Sequence, residues 1–512
     1  MVGVPLFIHE LLDSWPAWQA PRAPLIGDPN RCFSYAECRL QSLALAARLR
    51  AERIGFGERV LLDLECSAYL AAGLFAVSAV GAIGVPVSER MGLHRVDALR
   101  QLLVPSAIIC GSADSVLGRT YHATGVKVIA ANVATGCSEW PRCEELIDLD
   151  PALVMMTSGT SRGKPRGVKM PHNAVIAACE SIARYLEISS TDRILMTSPI
   201  SFDYGLYQLF IAALRGAYLI LPSEEQRRYV SSLFEYIELQ RITVLPLVPT
   251  FARITVPIWR RLNRSSPRVR VITFTGGPFP AEMVDDLKTV FPNAQVFPMY
   301  GITEAKRVSY LEPNRVALKP NSIGRPIPNC RVRILAPTGY EAKPGELGEI
   351  NVEARTVMSG YYQDLDATAD RIGINQDGYR FLKTGDLGYR DADGDLFWVM
   401  RNDDIVKVDD VRVSTKEVEA LIRRISGVAD VAVSPIVLNS RLQLGACIVS
   451  NDDKVTAQML SQAIERIVGA RAMIPVRLVL LDSLPLSEHG KTDYEEVKKI
   501  LELGLEEEGV GQ

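Results

Sequence analysis

Residues 157–167 read Thr157-Ser158-Gly159-Thr160-Ser161-Arg162-Gly163-Lys164-Pro165-Arg166-Gly167, directly after the apolar run 153–156. Glycines let a backbone approach an anion, hydroxyls and amide N–H groups donate hydrogen bonds to it, and Lys164 and Arg166 add charge. The chemistry is that of a phosphate-holding loop. It is not a Walker loop, because three residues rather than four separate Gly159 from Gly163, and Pro165 follows Lys164 where that motif has Ser or Thr. A plain flexible loop on a basic surface is the competing reading of this segment alone.

Four distant segments carry residues that would complement bound phosphate. Tyr300-Gly301-Ile302-Thr303-Glu304 follows the strand-like 295–297 and places a hydroxyl and a carboxylate together, suited to a phosphate contact and a magnesium ligand. Leu382-Lys-Thr-Gly385-Asp386-Leu387 offers an acid, expected in a tight turn, for a pair of ribose hydroxyls. Arg401-Asn-Asp403-Asp404 marks a change of domain. Ser487-Glu-His-Gly490-Lys491 puts one lysine in a loop near the C-terminus, where a mobile module would bring it to a transferring phosphoryl group. Taken singly, Thr303-Glu304 also reads as a helix start, Gly385-Asp386 as a hairpin turn and Gly490-Lys491 as a helix cap.

The elements that must position these residues alternate. Short β-branched runs at 59–63, 107–110, 127–130, 193–196, 218–221, 244–246 and 270–274 are separated by helical periods, which predicts parallel sheets covered on both faces. From about 322 the texture changes to short elements with Gly and Pro turns, a β-rich subdomain over 322–400. A small α+β unit follows over 401–512: a hairpin at 405–413, helices at 414–425 and 455–468, and strands at 428–437 and 442–449. Ser414-Thr-Lys-Glu417 resembles a capping box. The fold class is therefore α/β, with a large domain over 1–400 and a small α+β domain behind it.

Composition excludes several classes. The chain has 512 residues, and its 57 basic and 60 acidic residues leave a net charge of −3, so no overall field draws in nucleic acid or an anionic membrane. Nine cysteines are scattered with no C-x-x-C pair, and the five histidines share no ligand-like spacing, which argues against a disulfide framework and a zinc site. Residues 67–88 lack charge, but Gly81, Gly84 and Pro86 break the run, so a core helix at 69–80 and a buried strand are expected rather than a membrane span. With no export signal in the first residues, a cytoplasmic protein with reduced thiols is expected.

In this order and at these separations the segments resemble the adenylate-forming superfamily: acyl-CoA synthetases, adenylation domains of nonribosomal peptide synthetases, and luciferases. The resemblance covers nearly the whole chain, from Phe33-Ser-Tyr-Ala-Glu37 to Gly490-Lys491. It implies a C-terminal lid hinged at Asp403, with ATP and Mg2+ as cofactors and a small carboxylic or amino acid as substrate. Thr157, Ser158, Gly159, Thr160, Ser161, Gly163 and Lys164 would hold the outer phosphates, Thr303 the α-phosphate and Glu304 the metal. Gly276, Gly277, Pro278, Tyr300 and Gly301 would line the adenine side, Asp386 and Arg401 would grip the ribose, and Lys491 would bridge carboxylate and α-phosphate. The acyl pocket would form around Phe202, Asp203, Tyr204, Tyr207, Phe251, Thr275 and Ile302. Asp203 either pairs with a substrate ammonium, as in amino-acid-activating members, or caps a helix at 204–214.

The expected acceptor is the thiol of coenzyme A or of a carrier-protein phosphopantetheine, the carrier being a separate chain. Two departures from the family pattern bear on this. The phosphate loop is one residue longer, with Arg162 in the insertion. After the hinge, Lys407-Val-Asp-Asp410-Val-Arg412 has Asp410 where a glycine usually leaves room for the pantetheine arm. Transfer to an amine is therefore a second expectation, and a nucleotide-binding interaction protein without catalysis a third.

Overall fold

The computed structural model describes residues 5–13, 19–63, 67–87, 93–111, 115–133, 139–157, 166–402, 405–408, 411–438, 441–450, 456–468, 471–486 and 492–508. The chain divides into two compact units. The larger holds 1–157, 166–384 and 389–397; the smaller holds 385–388 and everything from 398 onward among its described residues.

Two sheets dominate the larger unit. One runs in the order Arg325–Pro326, Ala305–Tyr310, Gln295–Ile302, Val271–Phe274, Val244–Leu247, Arg193–Leu195, Tyr218–Ile220, Pro24–Gly27 and Cys32–Ser34. From Gln295–Ile302 to Pro24–Gly27 every pairing is parallel. These strands are short apolar runs because helices cover both faces, and Val244–Leu247 and Val271–Phe274 are buried at every position. Beneath them Phe234, Trp259 and Phe291 pack ring against ring, and the Trp259 indole N–H donates to the Val230 carbonyl at 2.8 Å.

The second sheet runs Gly360–Tyr361, Gly167–Pro171, Pro151–Met156, Ile83–Pro86, Arg59–Asp63, Ala107–Cys110 and Lys127–Ala130. Pro151–Met156 and the four strands beyond it are parallel, while Gly167–Pro171 pairs antiparallel with Pro151–Met156. Helix Tyr69–Ala79 is buried at every position after its first, as a core helix rather than a span, and no helix of the described residues is long and apolar enough to cross a membrane. Strands Cys330–Leu335, Gly348–Ala354, Arg380–Arg390 and Ile372–Ile374 form the β-rich sheet expected after 322. Two strands from that stretch, Arg325–Pro326 and Gly360–Tyr361, instead extend the two large sheets.

In the smaller unit Val428–Leu438 and Arg441–Ser450 pair antiparallel, and Arg477–Leu481, which shows no distinct sequence signal, adds a parallel third strand. Helices Thr415–Ile422 and Ala457–Val468 supply apolar residues to a core with Val431 and Val433, and Tyr494–Glu508 covers Ala432, Ile436 and Cys447 through Val497 and Leu501. Ser414 caps its helix by accepting the Glu417 N–H at 3.2 Å.

Candidate active site

Four consecutive parallel strands deliver the predicted residues to one edge. Arg193–Leu195 leads to Phe202 and Asp203, Val244–Leu247 to Phe251, Val271–Phe274 to Thr275, Gly276, Gly277 and Pro278, and Gln295–Ile302 ends in Tyr300, Gly301 and Ile302. Ligands in open α/β sheets bind outside the carboxyl ends of the strands, where loops rather than packed helices face the crevice. Burial follows the same logic: Phe274 and Thr275 are buried, Gly277 and Pro278 exposed, and 300–303 half-buried. Gly276 holds a φ of 87°, a left-handed turn that lets the chain leave its strand at once.

Thr303 and Glu304 are not a helix start. They form the tight turn between Gln295–Ile302 and Ala305–Tyr310, closed by the Ile302–Ala305 pair. Glu304 is buried, its backbone carbonyl accepts from the Met358 N–H at 2.8 Å, and its Oε1 accepts from the Tyr361 hydroxyl at 2.8 Å. A buried carboxylate oxygen needs such a donor in place of water.

The segment predicted to hold phosphate follows the carboxyl end of Pro151–Met156, and the described residues that flank it, Thr157 and Arg166, are pinned together. The Thr157 N–H donates to the Arg166 carbonyl at 2.9 Å, and the Arg166 N–H donates to Thr157 Oγ1 at 3.3 Å. Thr157 is described; Ser158, Gly159, Thr160, Ser161, Gly163 and Lys164 lie outside the described residues. Arg166 turns back to Asp364, with Nε 3.3 Å from Oδ2, and lies over the Tyr361 ring at 5.3 Å.

Tyr361 was not predicted from sequence, yet it joins these parts. The segment 357–362 pairs with the exit strand of the loop (Tyr361 opposite Val168) and bridges to Ala305 through Val357. One ring thus touches the base of the phosphate loop and holds Glu304. A two-residue strand has no periodicity to read, so the available signal was Gly360-Tyr361 alone; Gly360 adopts a φ of 146° with Thr368 beside it.

Two expectations about acids are corrected. Asp386 is not in a tight turn: it lies within the eleven-residue strand Arg380–Arg390, where Gly385 takes a φ of 72° and bends the strand instead of ending it. Its Oδ1 lies 3.2 Å from Arg401 Nε, so the two predicted ribose residues are neighbours within the smaller unit. Asp203 does not cap a helix at 204–214. It is the first residue of helix Asp203–Arg215, whose N-cap is Phe202 with no side-chain cap bond, and its carboxylate lies 3.0 Å from the Lys306 ammonium. Asp203 already holds a cation from the protein itself.

The acyl-side residues lie around that pair. Lys306 is over the Tyr207 ring at 4.9 Å and the Tyr204 ring at 5.7 Å. Burial pulls the Lys306 ammonium down to about 8, against the opposing pull of Asp203. The Tyr204 hydroxyl donates to the Thr273 carbonyl at 2.9 Å, and burial raises its pKa. Phe251 packs partly buried against the large core. Gly205 permits the close approach, since a Cβ there would sit 2.3 Å from the Ser198 carbonyl oxygen.

Lys491, Asp403 and Asp410 lie outside the described residues, as does the Arg412 side chain. Around Asp410, strands Ile405–Val408 and Val411–Ser414 pair antiparallel, with Lys407 opposite Arg412.

Residues 14–362 match the family model described as AMP-binding enzyme. Phenyloxazoline synthase MbtB of Mycolicibacterium paratuberculosis is 29% identical over 493 residues, covering 95% of this chain; the chain spans 41% of that protein's length. Among solved structures, o-succinylbenzoate coenzyme A synthetase (MenE) from Bacillus subtilis in complex with AMP is similar with a TM-score of 0.81 and 25% identity, over 96% of this chain and 98% of that one. VinN in complex with L-aspartate is similar with a TM-score of 0.67 and 28% identity, over 77% of this chain and 98% of that one. A family match over more than half of the sequence, on the fold and strand edge just described, establishes that the chain belongs to the AMP-binding enzyme family.

Proposed function

We propose that the chain activates a small carboxylic or amino acid with ATP and Mg2+, forming an acyl-adenylate and releasing pyrophosphate, and then passes the acyl group to the thiol of coenzyme A or of a carrier-protein phosphopantetheine. One observation carries this reading: the Thr303–Glu304 turn, Thr275 and Asp203 follow the carboxyl ends of parallel strands of one sheet, with Tyr361 tying Glu304 to the base of the predicted phosphate loop.

In the first step a substrate carboxylate oxygen attacks the α-phosphorus in line, and the bond to the bridging oxygen of pyrophosphate breaks. An anion is added to a polyanion, so the site must neutralise charge and align the reactants. Thr160 and its neighbours would hold the β- and γ-phosphates, and Thr303 the α-phosphate. Glu304 suits Mg2+, since Tyr361 holds Oε1 and Oε2 remains to ligate a hard cation; bound there, the metal would screen phosphate charge. Lys491 would neutralise charge at the α-phosphate. Asp386 and Arg401 would receive the ribose, the aspartate accepting from its hydroxyls. In the second step a thiolate attacks the acyl carbonyl and AMP leaves, after the lid has turned about Asp403 and withdrawn Lys491.

L-aspartate in the VinN complex and the o-succinylbenzoate named for MenE make acids of modest size the first to test. Asp410 favours a second reading of the second step only, with an amine as acceptor. Pyrophosphate release measured across a panel of acids tests the first step, and release independent of every acid refutes it. Supplying coenzyme A, a carrier protein or free amines to the preformed adenylate decides the acceptor; Asp410→Gly raises thioester output if Asp410 narrows the thiol path, and an unchanged rate rejects that role.

A further inference from the structure

Next to the Asp203–Lys306 pair stands a second buried cation. Arg307 is 2% exposed, and its Nη1 donates to Thr275 Oγ1 at 2.9 Å. Its Nε is buried without a hydrogen-bond partner, and no described carboxylate lies within ion-pair distance of the guanidinium. Arg307 also holds a φ of 61°, the left-handed region, a strained conformation for a non-glycine residue that collects at functional sites. Its backbone abuts the site, because a Cβ on Gly301 would sit 2.8 Å from the Arg307 nitrogen.

Counting charge exposes the imbalance. Lys306 and Arg307 bring two positive charges and Asp203 one negative; the Tyr204 and Tyr207 phenols are kept neutral by burial, and Glu304 is turned to Tyr361. The Arg307 charge works against the Lys306 ammonium, in addition to burial. A guanidinium cannot shed its proton as a lysine can, so a buried one calls for an anion. Thr275, which it reaches, directly follows the strand Val271–Phe274, and Arg307 follows Glu304 by three residues, at most about 10 Å of extended chain. A short acid spans that distance.

We propose that the substrate is a dicarboxylic acid, one carboxylate being adenylated near Thr303 while the other is bound by the Arg307 guanidinium. This rests on the adenylation reading and names its substrate class. The planar fork of Arg307 presents paired N–H donors to a carboxylate, and the Tyr207 hydroxyl, whose ring lies under Lys306, is buried without a partner among the described residues.

The test is kcat/KM for pyrophosphate release with matched pairs: malonate and propionate, succinate and butyrate, aspartate and 2-aminobutyrate, terephthalate and 4-methylbenzoate. For the pair of fitting length, the dicarboxylate is favoured by about 100-fold or more, since a site built for a polar group rejects the analogue lacking it. Arg307→Met abolishes that preference, Arg307→Lys retains part of it, and the melting temperature of Arg307→Met is no lower than that of the unaltered protein. Equal kcat/KM within every pair, an unchanged ratio in Arg307→Met, or turnover confined to monocarboxylic acids outside the panel overturns the inference while leaving adenylation standing. No acid-dependent release with any acid overturns the adenylation reading, and the inference with it.

Discussion

Replacing Asp203 with asparagine tests the buried ion pair with almost no change of shape. The side chains of Lys306 and Asp203 are 5% and 10% exposed and 3.0 Å apart. Leaving a buried ammonium unpaired costs about 3–5 kcal/mol. Lysine has an escape, however, because it can lose its proton. Burial has already brought Lys306 to about 8, so the neutral form at pH 7 lies one pH unit, about 1.4 kcal/mol, above the paired form. The variant takes the cheaper route, and its destabilisation is about 1.4 kcal/mol at pH 7. Each pH unit downward makes deprotonation about 1.4 kcal/mol more costly, until the penalty levels off at about 3–5 kcal/mol near pH 5. The lysine pKa is depressed in the fold, so the unfolded chain binds more protons above about 8, and the unaltered protein gains stability from this group as pH rises from about 8 toward 10.5. Melting temperatures of both proteins between pH 5 and pH 8 read the difference directly. The gap widens steadily as pH falls; a gap independent of pH, or absent at pH 5, refutes the reasoning.

Tyr361→Phe removes the donor to Glu304 Oε1 and leaves a buried carboxylate oxygen bare. Apparent Mg2+ affinity in pyrophosphate release then falls by about 10–100-fold with the fold intact by circular dichroism, and an unchanged magnesium titration shows that Tyr361 does not orient a ligand. Gly205→Ala forces a Cβ to 2.3 Å from the Ser198 carbonyl oxygen, a backbone atom that cannot swing away, and lowers stability by about 1–3 kcal/mol or more; a melting temperature within one degree of the unaltered protein means the helix start is looser than it stands. His172 and His9 are held to about 3 and about 4, mainly by burial. Their pKa values are depressed, so stability present above the ordinary value of 6.5 drains away as pH falls toward 4, at up to about 1.4 kcal/mol per unit for each ring. Acid unfolding that is no shallower in His172→Gln assigns that loss elsewhere.

Much of the fold was legible because it rests on local patterns. The strands at 59–63, 107–110 and 127–130 match to the residue: Ala107–Cys110 is buried and apolar at every position, and the other two carry β-branched or leucine pairs at their centres. The Thr303–Glu304 pair stands out in the sequence because hydroxyl and carboxylate lie side by side after a strand. What stayed hidden depends on distance in the chain. Lys306 meets Asp203 across more than a hundred residues, and nothing local in Ala305-Lys306-Arg307 says that two cations are buried. Gly167–Pro171 begins inside a glycine-rich loop and carries a lysine and a proline, so it reads as more loop. Asp386 was assigned to a turn because Gly-Asp is a turn dipeptide; the antiparallel neighbours that keep Arg380–Arg390 extended override that preference.

Quenching a single turnover of ATP with a substrate acid and weighing the products by mass spectrometry tests the account at its centre. It predicts pyrophosphate together with an acyl-AMP whose mass is that of the acid plus AMP less one water. ADP and orthophosphate in their place, or nucleotide left intact with every acid, would contradict it.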